Sequence, residues 1–428
     1  MQQINDYFAC NNLHTVAQSA YRPNHSTETA LLSVQNDLLL AIDQHSEALL
    51  VLLDFSSAFD TIDHSILLNR LESRYGITGT ALQWFRSYLS GRSQVVTIGE
   101  AVSSVHHMPW GVPQGSVCGA PLFTFYTAPI SDIMTKHSIN HVIYADDTQM
   151  YLLFKPSESA AAVHRLENCV KDIKEWAVNN KLQLNNGKTE ILRFSSRFRS
   201  TAELPPAMIG DSVVDYCTEA RSLGVVFDSE LRMKTHVGNI CRAGWSSIHR
   251  IGRIRRYLDE PATLRLIHAF VTSRIDSCNS LLIGLPANEI DRLQRLQNAA
   301  ARLVRRVKRH EHITPILLSL HWLPVSQRII YKTLILTFKA LHNLAPAYIQ
   351  DLIHRHQPTR TLRSASLNLL QQPLPPRTSS YGGRAFSVAA PTLWNKLPFH
   401  LRDCSCILTF KRHLKTHLFS QYYFERIE

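Results

Sequence analysis

The sequence of 428 residues predicts an α+β fold, with an antiparallel sheet in the first half of the chain and helices in the second. Short apolar runs of strand length alternate with stretches of helical period up to about residue 235. Beyond that point the apolar residues recur mainly at helical spacing. With 45% hydrophobic and 19% charged residues, the composition is that of a globular protein large enough for more than one domain.

The elements of the first half follow from this periodicity and from the turn residues at their ends. Residues 27–44 carry one apolar face and predict a helix, and the continuous apolar run 48–53 predicts a strand buried on both faces. Two further helices are expected to end at Gly76 and Gly91, because glycine is favoured just past a helix end. The remaining elements, in order, are helices over 64–75 and 80–90, a hairpin over 94–107, a helix over 116–134, a hairpin over 141–154, a helix over 159–180, a third hairpin at Asn186-Gly187 and a strand over 223–227. This order is compatible with a split βαβ arrangement.

The second half of the chain is strongly basic. Residues 289–309 predict a helix with one apolar face and six arginines mostly off that face, namely Arg292, Arg295, Arg302, Arg305, Arg306 and Arg309. Residues 1–150 hold 6 basic and 13 acidic side chains, whereas 241–312 hold 14 and 6, and 313–428 hold 14 and 4. An acidic module that attracts cations, followed by basic modules that attract phosphate, indicates a nucleic-acid partner. A solvated basic helix surface is the alternative.

Two adjacent carboxylates, Asp146 and Asp147, lie between two apolar runs of strand length, so we expect a tight turn to display them. Like charges held this close repel each other unless a cation neutralises them. Oxygen ligands of this kind suit Mg²⁺. A solvated Asp-Asp turn is the alternative that turn chemistry alone allows.

A third carboxylate, Asp54, follows the predicted strand 48–53. An acid at the end of a buried strand is costly unless it meets a cation or a hydrogen-bonding partner. An aspartate that merely begins a turn is the alternative. If the three carboxylates share metal ions, Asp54, Asp146 and Asp147 must converge, although 92 residues separate the first from the second. Asp147 is the weaker candidate, because neighbouring residues on a turn rarely point the same way.

A glycine-rich segment lies between these acids, at residues 110–117, and reads WGVPQGSV. Two glycines and a proline indicate an irregular backbone that leads into a helix. Such a turn lets the backbone approach a ligand closely, although an ordinary loop before a helix has the same composition.

Together and in this order, these segments resemble the motifs of a reverse transcriptase. The resemblance is closest to non-LTR (LINE-type) retrotransposons of the jockey-like kind, over residues 7–235, with weaker family-like sequence over 320–353. The motifs that carry it read QSAYRPNHSTETAL, LLDFSSAFDTIDH, GVPQGSV, YADDTQMYL and LQLNNGKTEIL. The resemblance further identifies the chain as an N-terminally truncated copy, without an upstream endonuclease or the first part of the fingers.

The resemblance implies a right-handed polymerase fold. We expect partial fingers over 1–45, an antiparallel-sheet palm with finger insertions over 46–235, a basic helical thumb over 236–312, and a basic helical C-terminal extension over 313–428. Residues 357–380, rich in Pro, Ser, Thr and Arg, are expected to form a linker or loop.

The resemblance also implies roles for individual residues. Asp54, Asp146 and Asp147 would be the catalytic metal ligands. Five residues would contact the incoming nucleotide: Arg22 as a triphosphate clamp, Phe59 as a steric gate against a 2′-hydroxyl, Gln114 and Gly115 as the nucleotide floor, and Lys188 near the leaving pyrophosphate. Core packing for Phe59 and a solvated side chain for Lys188 are the alternatives.

The expected activity is RNA-directed DNA synthesis with two Mg²⁺ ions, for which Mn²⁺ is a chemical alternative. The expected partners are an RNA template, a DNA primer or target, and dNTPs. Two other functions stay open: a catalytically inactive nucleic-acid-binding remnant, and an RNA-binding protein of the maturase type.

One departure from the family bears on activity, because the chain has Ala120-Pro121 where the family usually has proline followed by leucine, and a displaced proline could disturb the helix start.

The remaining features concern the compartment. The eight cysteines are scattered, which predicts a reducing environment and no zinc site. The sequence contains neither an apolar run of membrane-spanning length nor a secretory signal pattern. We therefore expect an intracellular protein of the cytoplasm, the nucleus or both, with no membrane partner and with an oligomeric state that the sequence leaves open.

Overall fold

The computed structural model describes residues 2–56, 58–113, 115–196, 204–209, 212–357 and 367–424. Helices and strands mix in the first half and helices dominate the second, which confirms the α+β prediction. The helices are α1 Gln2–Cys10, α2 Thr27–Asp43, α3 His64–Ser73, α4 Gly79–Leu89, α5 Gly119–Thr127, α6 Pro129–Lys136, α7 Ser159–Asn179, α8 Lys234–Ile254, α9 Glu260–Ile267, α10 Ser273–Asp276, α11 Ala287–Arg305, α12 Ile313–Ser319, α13 Val325–Leu341, α14 Ala347–Gln350, α15 Phe386–Asn395, α16 Phe399–Arg402 and α17 Ile407–Tyr423.

The strands lie before residue 229. They are β1 Glu47–Leu53, β2 Phe55–Ser56, β3 Ser93–Gln94, β4 Thr97–Ile98, β5 Ala101–Val102, β6 His106–His107, β7 Asn140–Tyr144, β8 Asp147–Phe154, β9 Gln183–Leu184, β10 Glu190–Phe194, β11 Ala207–Ile209, β12 Ser212–Val214, β13 Tyr216–Cys217, β14 Glu219–Ser222 and β15 Val225–Asp228. None of the described helices is both long and apolar enough to cross a membrane.

The chain divides into two compact units. As far as these ranges are described, the first comprises Met1–Pro23, Glu47–Arg193 and Arg199–Thr218, and the second comprises Asn24–Ser46, Phe194–Phe198 and Glu219–Glu428. This division by packing does not follow the boundaries expected from the sequence, because α2 belongs to the second unit. The assignment of fingers, palm and thumb stays a prediction.

The first unit is built on a five-stranded sheet in the order β13-β10-β1-β8-β7. The pairs β1·β8 and β8·β7 are antiparallel, whereas β10·β13 is parallel. The central strand β1 is apolar after its first residue and almost wholly buried, as its sequence predicts. One face of the sheet packs against helices that include α3, α5 and α7, and the shared core contains Leu49, Val51, Met150, Phe123 and Leu166.

The predicted hairpin at Asn186-Gly187 is wrong. Strand β9 pairs with β2, while β10 joins the central sheet beside β1. Residues Asn186–Lys188 form a single 3-10 turn, and Gly187 lacks the positive φ that a two-residue Asn-Gly hairpin requires. Asn185 is already committed elsewhere, because its N–H donates to the carbonyl oxygen of Asp54 at 2.9 Å. The other predicted hairpins, over 94–107 and 141–154, are confirmed by their antiparallel ladders.

The helix predicted over 116–134 begins later and is divided in two. α5 begins at Gly119, so Pro121 lies in the first turn, where helical N–H groups have no partner within the helix. The displaced proline therefore leaves this helix start intact. The second part, α6, begins at Pro129 and ends at Lys136.

In the second unit, α2 is bound to the C-terminal helices and their loops. The carboxylate of Asp43 accepts hydrogen bonds from the N–H groups of Arg377 and Thr378 at 2.9 and 2.7 Å. Burial raises the pKa of Asp43, but these bonds outweigh it and hold the pKa below its usual value. Of the predicted 357–380 linker, 358–366 lie outside the described residues, and the part near Thr378 is a loop anchored on α2.

Candidate active site

The register of β1 and β8 places Asp54 beside the Asp146-Asp147 turn. Leu53 pairs with Thr148, so Asp54 and Asp147 occupy the next pair of positions along the same two strands. Leu53 belongs to the helix-covered core, and side chains alternate along a strand. Asp54 and Asp147 therefore share the opposite face.

The turn itself consists of Ala145 and Asp146, because Tyr144 pairs with Asp147 on either side of it. Ala145 has a φ of +60°, a left-handed backbone conformation that residues other than glycine and asparagine seldom adopt. Asp146 is half-buried at the tip. Asp147 begins β8 and keeps an exposed surface.

The three carboxylates interact electrostatically. Desolvation raises the pKa of Asp147, and the negative charges of Asp146 and then Asp54 raise it further. The site thus holds more negative charge than its surroundings neutralise.

Two side chains from the turn after β9 contact Asp54. The ammonium Nζ of Lys188 lies 3.3 Å from Oδ2 of Asp54, and Nδ2 of Asn185 donates to the same oxygen at 3.4 Å. The structure therefore brings Lys188 to the site, beside a carboxylate. Asn185 was not predicted, and its signal in the sequence is its position three residues before Lys188 in LQLNNGKTEIL.

The donor set fits a hard divalent cation, since it consists of carboxylate oxygens whose mutual repulsion a cation would relieve. Gln149, two residues after Asp147 on the same face, is buried, and its Oε1 and Nε2 lack a hydrogen-bond partner among the described residues. Buried polar atoms of this kind usually meet water or a ligand. The expected convergence is nevertheless incomplete, because in the described part of the chain no three Asp, Glu, His or Cys side chains are arranged to hold one metal ion.

The loop after Asp54 is held in place by contacts with α5 and with the glycine-rich segment. Phe59 is partly buried and stacks on Phe123, with ring centroids 4.9 Å apart. The glycine-rich segment is bound to this loop, because N–H of Val112 donates to the carbonyl of Phe59 at 2.9 Å. Gly111 has a φ of +79°, and a Cβ atom there would lie 2.9 Å from the carbonyl oxygen of Asp60. Glycine is therefore required at this close approach.

The predicted nucleotide floor is described in part. Gln114 lies outside the described residues. Gly115 has a φ of +78°. Ser116 closes the turn into α5, since its Oγ donates to the carbonyl of Pro113 at 2.7 Å and accepts from the N–H of Gly119 at 3.0 Å.

Arg22 lies in the same unit but contacts its own loop. Its Nη1 donates to the carbonyl oxygens of Thr15 and Gln18 at 3.0 and 2.9 Å. Gln18 was not predicted, although it lies in the motif from which Arg22 was chosen. Its side chain bonds to the backbone of Ala145 in the carboxylate turn.

The six predicted thumb arginines divide into two groups. Arg292, Arg302, Arg305 and Arg306 bond within the second unit, to the side chains of Glu289 and Glu260 or to backbone carbonyls. Arg295 and Arg309 are exposed, and Nε of Arg295 donates only within its own helix, to the carbonyl of Asp291 at 3.3 Å. These two line a groove of about 750 Å³ between α8 and α11 that also contains the exposed ring of Trp245.

The chain is similar to known proteins in its first half. Residues 1–227 match the family described as reverse transcriptase (RNA-dependent DNA polymerase). The RNA-directed DNA polymerase from mobile element jockey of Drosophila funebris is 30% identical over 228 residues, covering 52% of this chain and 24% of that protein. The probable RNA-directed DNA polymerase from transposon X-element of Drosophila melanogaster is 28% identical over 225 residues, with the same coverages. The chain thus spans about a quarter of the length of these curated relatives.

Among solved structures, telomerase from Candida albicans in complex with a TWJ fragment of telomeric RNA has a TM-score of 0.37 and 11% identity, over 77% of this chain and 55% of that one. The relatives confirm the resemblance to jockey-like elements. Because the family match extends over more than half of the residues, this chain belongs to the reverse transcriptase (RNA-dependent DNA polymerase) family.

Proposed function

We propose that this chain is an RNA-directed DNA polymerase of a non-LTR retrotransposon, which adds deoxynucleotides to a primer 3′-hydroxyl along an RNA template. The observation that carries the proposal is the position of Asp54 at the end of β1, beside the Asp146-Asp147 turn that leads into the neighbouring strand β8. Family membership and the jockey-like relatives support it. The substrates are therefore a primer–template and dNTPs.

Asp54, Asp146 and Asp147 are the proposed ligands of two Mg²⁺ ions. When bound, the ions would stabilise the charge on the attacking and leaving oxygens. Asp54 would exchange Lys188 for a cation, which would leave the Lys188 ammonium available to the departing pyrophosphate. The same three carboxylates fit Mn²⁺.

The other proposed roles concern the nucleotide and the template. Phe59 would occupy the space under the sugar, with Phe123 holding its ring from behind. Gln114 and Gly115 would form the floor beside the templating pair. Arg22 would bind the triphosphate in bidentate fashion after releasing the two carbonyls that it contacts here.

Primer extension on an RNA template tests the proposal. The full chain should extend a DNA primer with dNTPs in Mg²⁺, and Asp146→Asn should abolish extension. Asp132→Asn is the matched control, because Asp132 is an exposed partner of Arg74 in the same unit. If the wild-type chain binds primer–template without extending it, the chain is a nucleic-acid-binding protein and the proposed activity is wrong.

A further inference from the structure

The segment 17–21 forms a brace along the edge of the sheet and the carboxylate turn. N–H of Ile143 donates to the carbonyl of Ala17 at 2.9 Å, and N–H of Ser19 donates to the carbonyl of Ile143 at 2.8 Å. These bonds pair the segment with the outer edge of β7 at Ile143. The side chain of Gln18 continues this contact to Ala145 in the turn, so the brace extends from the strand to its tip.

Within the brace, Gln18 bonds to both sides of one residue of the turn. Its Oε1 accepts from the N–H of Ala145 at 3.1 Å and from the N–H of Ala20 at 2.8 Å. Its Nε2 donates to the carbonyl of Ala145 at 3.4 Å. Gln18 as a whole is 7% exposed, so water competes little for these bonds.

Ala145 needs such support. Its φ of +60° is unfavourable for alanine, and tight turns usually place glycine or asparagine there. A residue in this conformation persists when its surroundings fix it. Because Asp146 and Asp147 follow directly, the orientation of the peptide groups of Ala145 sets the direction of both carboxylates.

We propose that Gln18 is a positioning residue, whose amide fixes the left-handed conformation of Ala145 and thereby aims Asp146 and Asp147 toward Asp54. Its effect on catalysis rests on the proposed function, whereas its effect on the turn does not. A purely structural glutamine would stabilise the unit without governing the turn. The two roles therefore differ in what a substitution changes.

Hydrogen exchange of the full chain, read by mass spectrometry on peptides that contain 143–150, tests the positioning without any activity. Gln18→Met keeps the length of the side chain and removes its hydrogen bonds. Because two bonds to Ala145 are lost, exchange at the turn should accelerate by roughly 5- to 100-fold. Gln18→Glu can still accept from both N–H groups, so it should fall between Gln18→Met and the wild type.

The matched control is Gln297→Met in the second unit. Gln297 is fully buried and its Nε2 donates to the carbonyl of Leu323 at 2.8 Å, so the same chemistry is removed away from the turn. This variant should leave exchange at 143–150 unchanged. If Gln18→Met shows wild-type exchange there, or if Gln297→Met accelerates it equally, the proposal is wrong. If Gln18→Met does not fold, Gln18→Glu alone decides: faster exchange at 143–150 than in the wild type supports the proposal, and unchanged exchange contradicts it.

Kinetics supply the second readout. With misaligned carboxylates, Gln18→Met should lower kcat for primer extension by on the order of tenfold or more and raise the half-saturating Mg²⁺ concentration, while KM for dNTP stays within about twofold. An unchanged kcat together with altered exchange would contradict the catalytic part of the proposal. An inactive wild-type chain would instead refute the proposed function, and the exchange result would still decide the role of Gln18.

Discussion

The pKa of Asp147 is raised, first by desolvation of its carboxyl group and then by the negative charges of Asp146 and Asp54. The folded chain thus binds the proton of the Asp147 carboxyl more tightly than the unfolded chain does. The contribution of this proton to the free energy of unfolding is therefore complete below the ordinary pKa of 3.8, and it is lost as pH rises through the pKa of the folded state. At neutral pH, without divalent cations, the ionised carboxylate destabilises the fold.

Asp147→Asn should therefore raise the Tm at pH 7 in the presence of a chelator, by a few degrees at most, and the difference from the wild type should disappear as pH falls toward 3.8. Thermal unfolding of both proteins across this range measures it. Added Mg²⁺ should reduce the difference at pH 7 by stabilising the wild type. A variant less stable than the wild type at pH 7 would contradict this account of the site.

Phe59 offers a second test at the residue scale, provided the chain is active. Its ring stacks on Phe123 and is only partly buried. A steric gate requires a ring that is accessible in this way. Phe59→Val should raise the ratio of kcat/KM for ribonucleotides to that for deoxynucleotides on the order of tenfold, because discrimination resides in that ratio. Phe125→Val, at a buried ring that stacks on Phe8, controls for lost stability and should leave the ratio unchanged. An unchanged ratio in active Phe59→Val would assign Phe59 to the core.

Between neighbouring elements, the glycine-rich segment is held against the loop that follows Asp54, where Gly111 closely approaches Asp60. Gly111→Ala has two costs: the strain of a positive φ, and a clash of the added Cβ atom with a carbonyl oxygen 2.9 Å away. It should destabilise the chain by about 2–4 kcal/mol, beyond the 1–2 kcal/mol typical of the left-handed conformation alone.

Gly99→Ala provides the comparison for that steric cost. Gly99 has a φ of +61° in the hairpin of β4 and β5, and nothing lies within 4 Å of an added Cβ atom. Chemical denaturation of both variants measures the difference. Equal losses for the two substitutions would show that the segment moves freely away from Asp60.

The sequence predicted those elements whose signals are local. α2, α3, α4 and α7 end within two residues of their expected positions, because apolar periodicity and glycine termination act over a few residues. The Asn186-Gly187 hairpin was wrong because the partner of β9 is β2, a strand about 130 residues earlier, and such a pairing leaves no local trace. Gln18 was missed for the same reason, since its bonds reach Ala145 across 127 residues.

For the whole molecule, charge separates the acidic first part of the chain from the basic part beyond residue 240. The structure changes which arginines best test binding to nucleic acid. Arg302, Arg305 and Arg306 already bond within the fold, so reversing their charge would also destabilise it. Arg295 and Arg309 are exposed, and the hydrogen bond of Arg295 stays within one turn of its own helix, so these two are the better probes.

Arg295→Glu and Arg309→Glu should each weaken binding to primer–template and reduce the slope of log K against log salt by about 1, if each arginine contacts one phosphate. Filter binding or fluorescence anisotropy at several salt concentrations measures the slope. Lys171→Glu, at an exposed position on α7, makes the same change of charge in the first unit and should alter the slope little. A slope that neither arginine affects would exclude this face from phosphate contact.

Asp54, Asp146 and Asp147 are proposed to form one site for divalent cations, and direct metal binding tests this without depending on catalysis. Mn²⁺ added to the full chain can be followed by the electron paramagnetic resonance of the free ion. We expect saturable binding that Asp54→Asn and Asp146→Asn each weaken strongly, whereas Asp132→Asn, at the exposed partner of Arg74, leaves it unchanged. Equal Mn²⁺ binding by the wild type, Asp54→Asn and Asp146→Asn would contradict the claim.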